Sequence, residues 1–271
     1  MEDLTKHQLI LINLLVTFVT SIATGVITFT LLSEAPVEVT QQINRVVEKT
    51  IERVVTEPGE PERVVETVVV NEEDRVIEAI SKNEKSVVRL KTLGADGTEI
   101  VSGLGIIVST DGIVVADLRS YSSTVSHSIS FHDGKVFPTG KVFVDNTNSL
   151  VFIKTTPPKN EPKYVFYPVT FGNSDGLKIG QTMVAISGKD SNAISIGRAR
   201  QLLLSDDKKT VTNILSDISV SRPFPGSPIV NLSGEVVGLE KQAVELDTTY
   251  SYLPINIVKI SLLKALEEFA E

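Results

Sequence analysis

The chain has 271 residues, 41% hydrophobic and 22% charged, enough for one large or two small globular domains with a real core. Its net charge of −8 at pH 7, with no basic stripe, argues against a nucleic-acid surface. Cysteine is absent, which excludes disulfides, thiolate nucleophiles and Cys-ligated zinc, and the only histidines are His7, His127 and His132.

After a short tail, residues 1–7, the stretch 8–32 has no charged residue. As a helix it would extend ~37 Å against a hydrocarbon core of ~30 Å, which predicts a transmembrane anchor. The run is too long for the apolar region of a cleaved signal peptide, and Pro36 follows the nearest small-residue site, Ser33-Glu34-Ala35. Lys6 is the only Lys or Arg before the span, so the positive-inside signal is weak. Ser21 and Gly25 make one small-xxx-small pair, readable as a helix-pairing face or as lipid-facing small residues.

Residues 33–71 read as a stalk. Ile43, Val47, Ile51 and Val54 share one helix face, which suits a short coiled coil. Their β-branched side chains favour helix less, and Glu57-Pro58-Gly59-Glu60-Pro61 interrupts any regular element, so a solvated linker is the alternative reading. Residues 72–82 predict a helix with acidic residues in its first turn.

Short β-rich runs follow: 87–93, 99–108, 113–118, 124–131, 136–143 and 150–155, with Asp96-Gly97, Asp111-Gly112 and Asp133-Gly134 as turns. A proline-containing connector, 157–168, precedes a second set: 169–171, 182–187, 193–204, 210–216, 227–231, 235–241 and 251–254. Residues 255–270 form a closing amphipathic helix. Two similar sets of strands and one terminal helix predict paired antiparallel barrels.

The order of motifs from about residue 72 onward resembles the trypsin-like domain of HtrA/DegS-type membrane-anchored serine proteases. Ser102-Gly103-Leu104-Gly105-Ile106-Ile107-Val108 with Asp111-Gly112 is similar to the first-barrel hairpin. Phe171-Gly172-Asn173-Ser174-Asp175 through Val184-Ala185-Ile186-Ser187 is similar to the opening of the second barrel. Ser216-Asp217-Ile218-Ser219, Gly226 to Gly238 and Tyr252-Leu253-Pro254-Ile255 continue the series. The resemblance implies an all-β, trypsin-like double six-stranded antiparallel β-barrel over 72–271, with a C-terminal helix, behind the anchor and stalk. It further implies a cytoplasmic N-terminus, an extracytoplasmic domain and a role in envelope protein quality control. The sequence stops at the closing helix, so the PDZ module of the resembling proteins is expected to be missing.

Aligned to the family's motifs, Arg119 stands at the position of the catalytic His, Ser149 at that of the Asp and Pro225 at that of the nucleophilic Ser. Arg stays protonated and cannot act as a general base. The oxyanion donors of this fold correspond to Pro223 and Pro225, and proline has no N–H. Losing one such donor typically costs about 10²–10³ in rate. Ser227, two residues past the nucleophile position, reads as a small residue in a tight loop rather than a displaced nucleophile. His127 and His132 are expected at the surface or edge of one strand, and no spacing for a metal site exists. The pair Asp206-Asp207 reads as solvated turn charges. Arg119 needs a carboxylate partner, with Asp117, Asp217 and Asp145 as candidates, or else marks a site for acidic groups or the terminal carboxylate of a polypeptide.

The expected protein is thus a membrane-anchored pseudoprotease that requires no cofactor or metal. It would bind peptides, unfolded polypeptides or a partner protease around Arg119, Phe224, Gly226 and Ser227, and form homo- or hetero-trimers as resembling proteins do. The alternatives are an active HtrA-like serine endopeptidase and a structural or oligomerisation module.

Overall fold

The computed structural model describes residues 6–33, 47–52, 65–94, 97–159, 163–218, 224–241 and 250–270, with the backbone alone for 47–52, 65–70 and part of the first helix. That helix, α1 (Lys6–Ser33), exposes Ile10, Leu11, Leu14 and Phe18. Among the residues described in full, no helix is long and apolar enough to cross a membrane; within α1 the full description is unbroken only over residues 10–24.

In the stalk, the strand β1 (Val47–Glu52) pairs antiparallel with β2 (Val65–Val70), so Val47 and Ile51 lie on a strand and not on the helix face read there, while Ile43 and Val54 lie outside the described residues. β-Branched residues lose side-chain freedom in a helix and fit a pleated strand better, and that preference prevails over the weak period. Helix α2 (Glu72–Asn83) starts where expected: the Asn71 side chain accepts from Glu73 N–H at 3.3 Å and three acidic residues fill the first turn.

The first barrel closes in the order β3 (Val87–Leu93), β4 (Glu99–Ile107), β5 (Ile113–Asp117), β8 (Leu150–Thr155), β7 (Val136–Asp145) and β6 (His127–Ser130). The second closes as β10 (Ala193–Leu204), β11 (Val211–Ser216), β14 (Tyr250–Pro254), β13 (Val236–Lys241), β12 (Pro228–Asn231) and β9 (Thr182–Ser187). Several strands are apolar at nearly every position because both faces are covered. In β5, Val114 and Ala116 face the interior of the first barrel, while Ile113 and Val115 join a second cluster. That second cluster also takes Val184, Ile186, Val230 and Leu253 from the other barrel, together with residues of α2 and of α3 (Ile255–Ala270). It welds the barrels together and leaves their facing loops as neighbours.

Two expected elements change. Residues 169–171 make one bridge, Phe171 to Val236, instead of a strand. The segment runs between the barrels, with Val169 N–H on Ile107 O and Val236 N–H on Thr170 O, and has no ladder of its own. Strand β6 begins at His127 and not at 124, because Ser122 N–H turns back onto the His127 ring at 3.0 Å.

Candidate functional site

Strand β5 ends at Asp117, whose carboxylate caps the 3₁₀ turn Leu118–Ser120 by accepting Arg119 N–H at 2.8 Å. This turn aims the Arg119 side chain back at the same carboxylate. Nε donates to Asp117 Oδ1 at 2.8 Å and Nη2 to Oδ2 at 3.0 Å, a two-point contact. Nη2 also donates to Glu240 Oε2 at 2.7 Å, reaching from the first barrel to β13 of the second. Asp117 and Glu240 are nearly sealed, with side chains 6% and 4% exposed, whereas that of Arg119 is 34% exposed. Burial would lower the guanidinium's pKa, but Asp117 and Glu240 outweigh it and hold it above its ordinary value. For Glu240 burial wins, and the carboxyl lies above its ordinary value despite Arg119. Burial and the Glu240 charge together push the phenol of neighbouring Tyr252 upward.

Facing this cluster is the turn Phe224-Pro225-Gly226-Ser227, closed by Ser227 N–H on Phe224 O at 3.0 Å. Proline at the second position and glycine with φ +80° at the third are the residues that a type II turn asks for. A Cβ on Gly226 would lie 2.2 Å from Leu104 O, so the loop presses directly on β4. Leu104 N–H donates to Pro225 O and Glu240 N–H to Ser227 O, both at 2.8 Å.

Every backbone N–H of this turn is committed. Phe224 N–H donates to Ser187 Oγ at 3.3 Å, Pro225 has none, Gly226 N–H donates to the Glu240 carboxylate, and Ser227 N–H closes the turn. The Ser227 hydroxyl is buried and donates to Phe224 O at 2.6 Å, with Ser187 Oγ at 2.9 Å. The hydroxyl so held fastens the loop, and among the described residues no His, Asp, Glu or Lys side chain hydrogen-bonds to it.

Ser149 adopts φ 55°, and its carbonyl accepts Leu118 N–H at 2.9 Å, so its backbone abuts the turn that carries Arg119. The structure therefore gathers Arg119, Ser149, Phe224, Pro225, Gly226 and Ser227 at one junction, while Pro223 lies outside the described residues. Of the three candidate partners for Arg119, only Asp117 serves. Asp145 accepts from Ser261 Oγ at 2.6 Å and Asp217 from Arg198 N–H at 2.5 Å. Glu240 is the partner that sequence reasoning misses, although a lone acid at the end of the apolar run Val236–Leu239 signals a buried counter-charge.

His132 is exposed, as expected, but His127 is not. It is buried on β6, stacked on Tyr121 with ring centroids 4.8 Å apart. Among the described residues no group of three or more His, Asp or Glu converges as a metal site. Asp206 and Asp207 are exposed in a turn.

Comparison with known proteins agrees with this architecture. The sequence profile of the trypsin-like peptidase domain matches residues 100–239. The protein is 28% identical over 153 residues to one described as probable periplasmic serine endoprotease DegP-like from Chlamydia pneumoniae, covering 54% of its own length and 30% of that relative. Proteins with the same description from Brucella suis (27% over 148 residues, 52% of this sequence and 27% of the relative) and Halomonas elongata (28% over 145 residues, 52% and 29%) are also similar. The matched region thus spans less than a third of the length of these curated relatives.

Proposed function

The chain belongs to the trypsin-like peptidase domain family, of the HtrA type, and from that premise we propose that it works as a pseudoprotease, binding polypeptide without cleaving it. The observation that carries this reading is the turn Phe224–Ser227, which has no uncommitted backbone N–H to stabilise an oxyanion. At the position equated with the general base stands Arg119, tied to Asp117 and Glu240 and unable to accept a proton. Ser149 and Pro225, at the other two triad positions, supply neither a carboxylate nor a nucleophile.

The active-endopeptidase reading is favoured by the descriptions of the relatives. Labelling of the purified protein with a fluorophosphonate probe and turnover of fluorescent casein separate the two. Covalent labelling, or turnover abolished by Ser227→Ala, would overturn the pseudoprotease reading.

We further propose that residues 8–32 anchor the protein in a membrane, with the stalk 33–71 leading to an extracytoplasmic domain. Support comes from the uncharged run within a 28-residue helix and from the periplasmic description of the relatives. Resistance to carbonate extraction supports the anchor, and release into the supernatant overturns it. Trimers of this protein, alone or with an active relative, follow from the family resemblance; a native mass spectrum showing only monomer would exclude the homotrimer.

A further inference from the structure

The polypeptide-binding reading leaves open what chemistry the junction recognises. A guanidinium carries five N–H groups. In Arg119 three are committed, one from Nε to Asp117 and two from Nη2 to Asp117 and Glu240. The two on Nη1 have no partner among the described residues, and a third of the side chain faces solvent. The carboxylates behind it are almost closed to solvent, so what the cluster presents outward is a pair of charge-assisted donors.

The charge of the cluster then selects the acceptor. One guanidinium set against two carboxyl groups leaves no surplus of positive charge, inside a protein of net charge −8. An incoming carboxylate would lie a few ångströms from both carboxyl groups, and the repulsion cancels much of what Nη1 offers. A neutral carbonyl meets the same donors without that repulsion. The adjoining turn supplies no competing donor, since each N–H from Phe224 to Ser227 is already committed.

We infer that Arg119 Nη1 is the docking point for a neutral main-chain or side-chain amide carbonyl of an extended polypeptide, and that this site discriminates against free carboxylates. The inference rests on the polypeptide-binding reading, and the experiment keeps the two apart. Rhodamine-labelled, dephosphorylated β-casein is titrated with the full-length protein in detergent micelles and followed by anisotropy, in parallel with the same casein carrying its carboxyl groups as methylamides. The variants are Arg119→Lys, which keeps a cation but not the outward donor pair, and Arg119→Met with Glu240→Leu, which removes the donors without stranding the Glu240 charge. Thermal unfolding confirms that each variant is folded.

The wild type is expected to bind blocked casein at least as tightly as untreated casein. Both variants should bind both forms about 10- to 100-fold more weakly, the worth of a hydrogen-bond pair from a charged donor. No binding of either casein by the wild type overturns the polypeptide-binding reading and this inference with it. Binding that folded variants retain within about twofold overturns the Arg119 anchor alone. Binding of untreated casein that is lost on blocking shows that carboxylates are the ligand, and overturns the selection of neutral carbonyls.

Discussion

Arg119 Nη2 of the first barrel lies 2.7 Å from Glu240 Oε2 of the second, and the same carboxylate receives the Gly226 N–H. Where the family resemblance places a base opposite a nucleophile, this protein has a buried ionic tie that joins the two barrels and fastens the intervening loop. The tie has consequences for stability that differ from those of a surface ion pair.

Arg119→Met alone should destabilise the protein by about 2 kcal/mol in urea unfolding, because two nearly sealed carboxylates lose their counter-charge. The figure lies below the roughly 3–5 kcal/mol typical of fully buried pairs because solvent reaches Arg119. Adding Glu240→Leu should recover much of the loss. A double variant no more stable than Arg119→Met would show that the carboxylate is not what Arg119 compensates.

The Glu240 carboxyl titrates above its ordinary value of 4.5, with burial outweighing the pull of Arg119. A raised acid favours the folded state while protonated. Its contribution is therefore full below the unfolded value and is lost as pH rises through the folded value. Glu240→Gln keeps an acceptor for Arg119 and Gly226 but removes the titration. The stability of wild type relative to Glu240→Gln should fall as pH rises from the ordinary value of 4.5 through the higher folded value, read from urea midpoints, and a constant difference would refute it.

Pro225→Ser, alone or with Arg119→His, should leave casein turnover and fluorophosphonate labelling at background. A serine at 225 has its own N–H, but the other oxyanion donor corresponds to Pro223, which has none, and Ser149 is no carboxylate to orient an imidazole. Labelling of either variant would show that the loop rearranges more readily than its hydrogen bonds suggest.

Gly226→Ala should cost at least about 2 kcal/mol, since a φ of +80° strains any side chain and the new Cβ meets Leu104 O at 2.2 Å. Gly134→Ala, at the same φ but with nothing near its Cβ, should cost clearly less in the same measurement. Equal losses would mean that backbone strain alone, and not the contact with β4, governs position 226.

Helix α3 docks on the first barrel through Ser261 Oγ, which donates to Asp145 at 2.6 Å. Burial raises the pKa of that carboxyl, but Ser261 and Asn148 outweigh it and hold it below its ordinary value. Its stabilisation is present above 3.8 and is lost as pH falls through the folded value. Ser261→Ala should thus cost about 2 kcal/mol near neutral pH and progressively less in acid, and a penalty independent of pH would count against the assignment.

The strands that close both barrels are legible in the sequence because local pattern and tertiary burial agree. Runs such as Ile113–Asp117 and Thr182–Ser187, bounded by turn residues, have no other way to cover two apolar faces. The assignment of positions 119, 149 and 225 to the triad comes from the order of the motifs alone and is part of the pseudoprotease proposal. The stalk misleads because a four-residue spacing and a β-branched composition compete, and only pairing with Val65–Val70 resolves the contest. His127 looks peripheral because strand alternation says that two faces exist without saying which is buried. Glu240 as the second partner of Arg119, and the loss of the Gly226 N–H to that carboxylate, depend on contacts between segments far apart in sequence. No local period encodes such a contact, and it exists only because the buried cluster between the barrels brings β5 and β13 together.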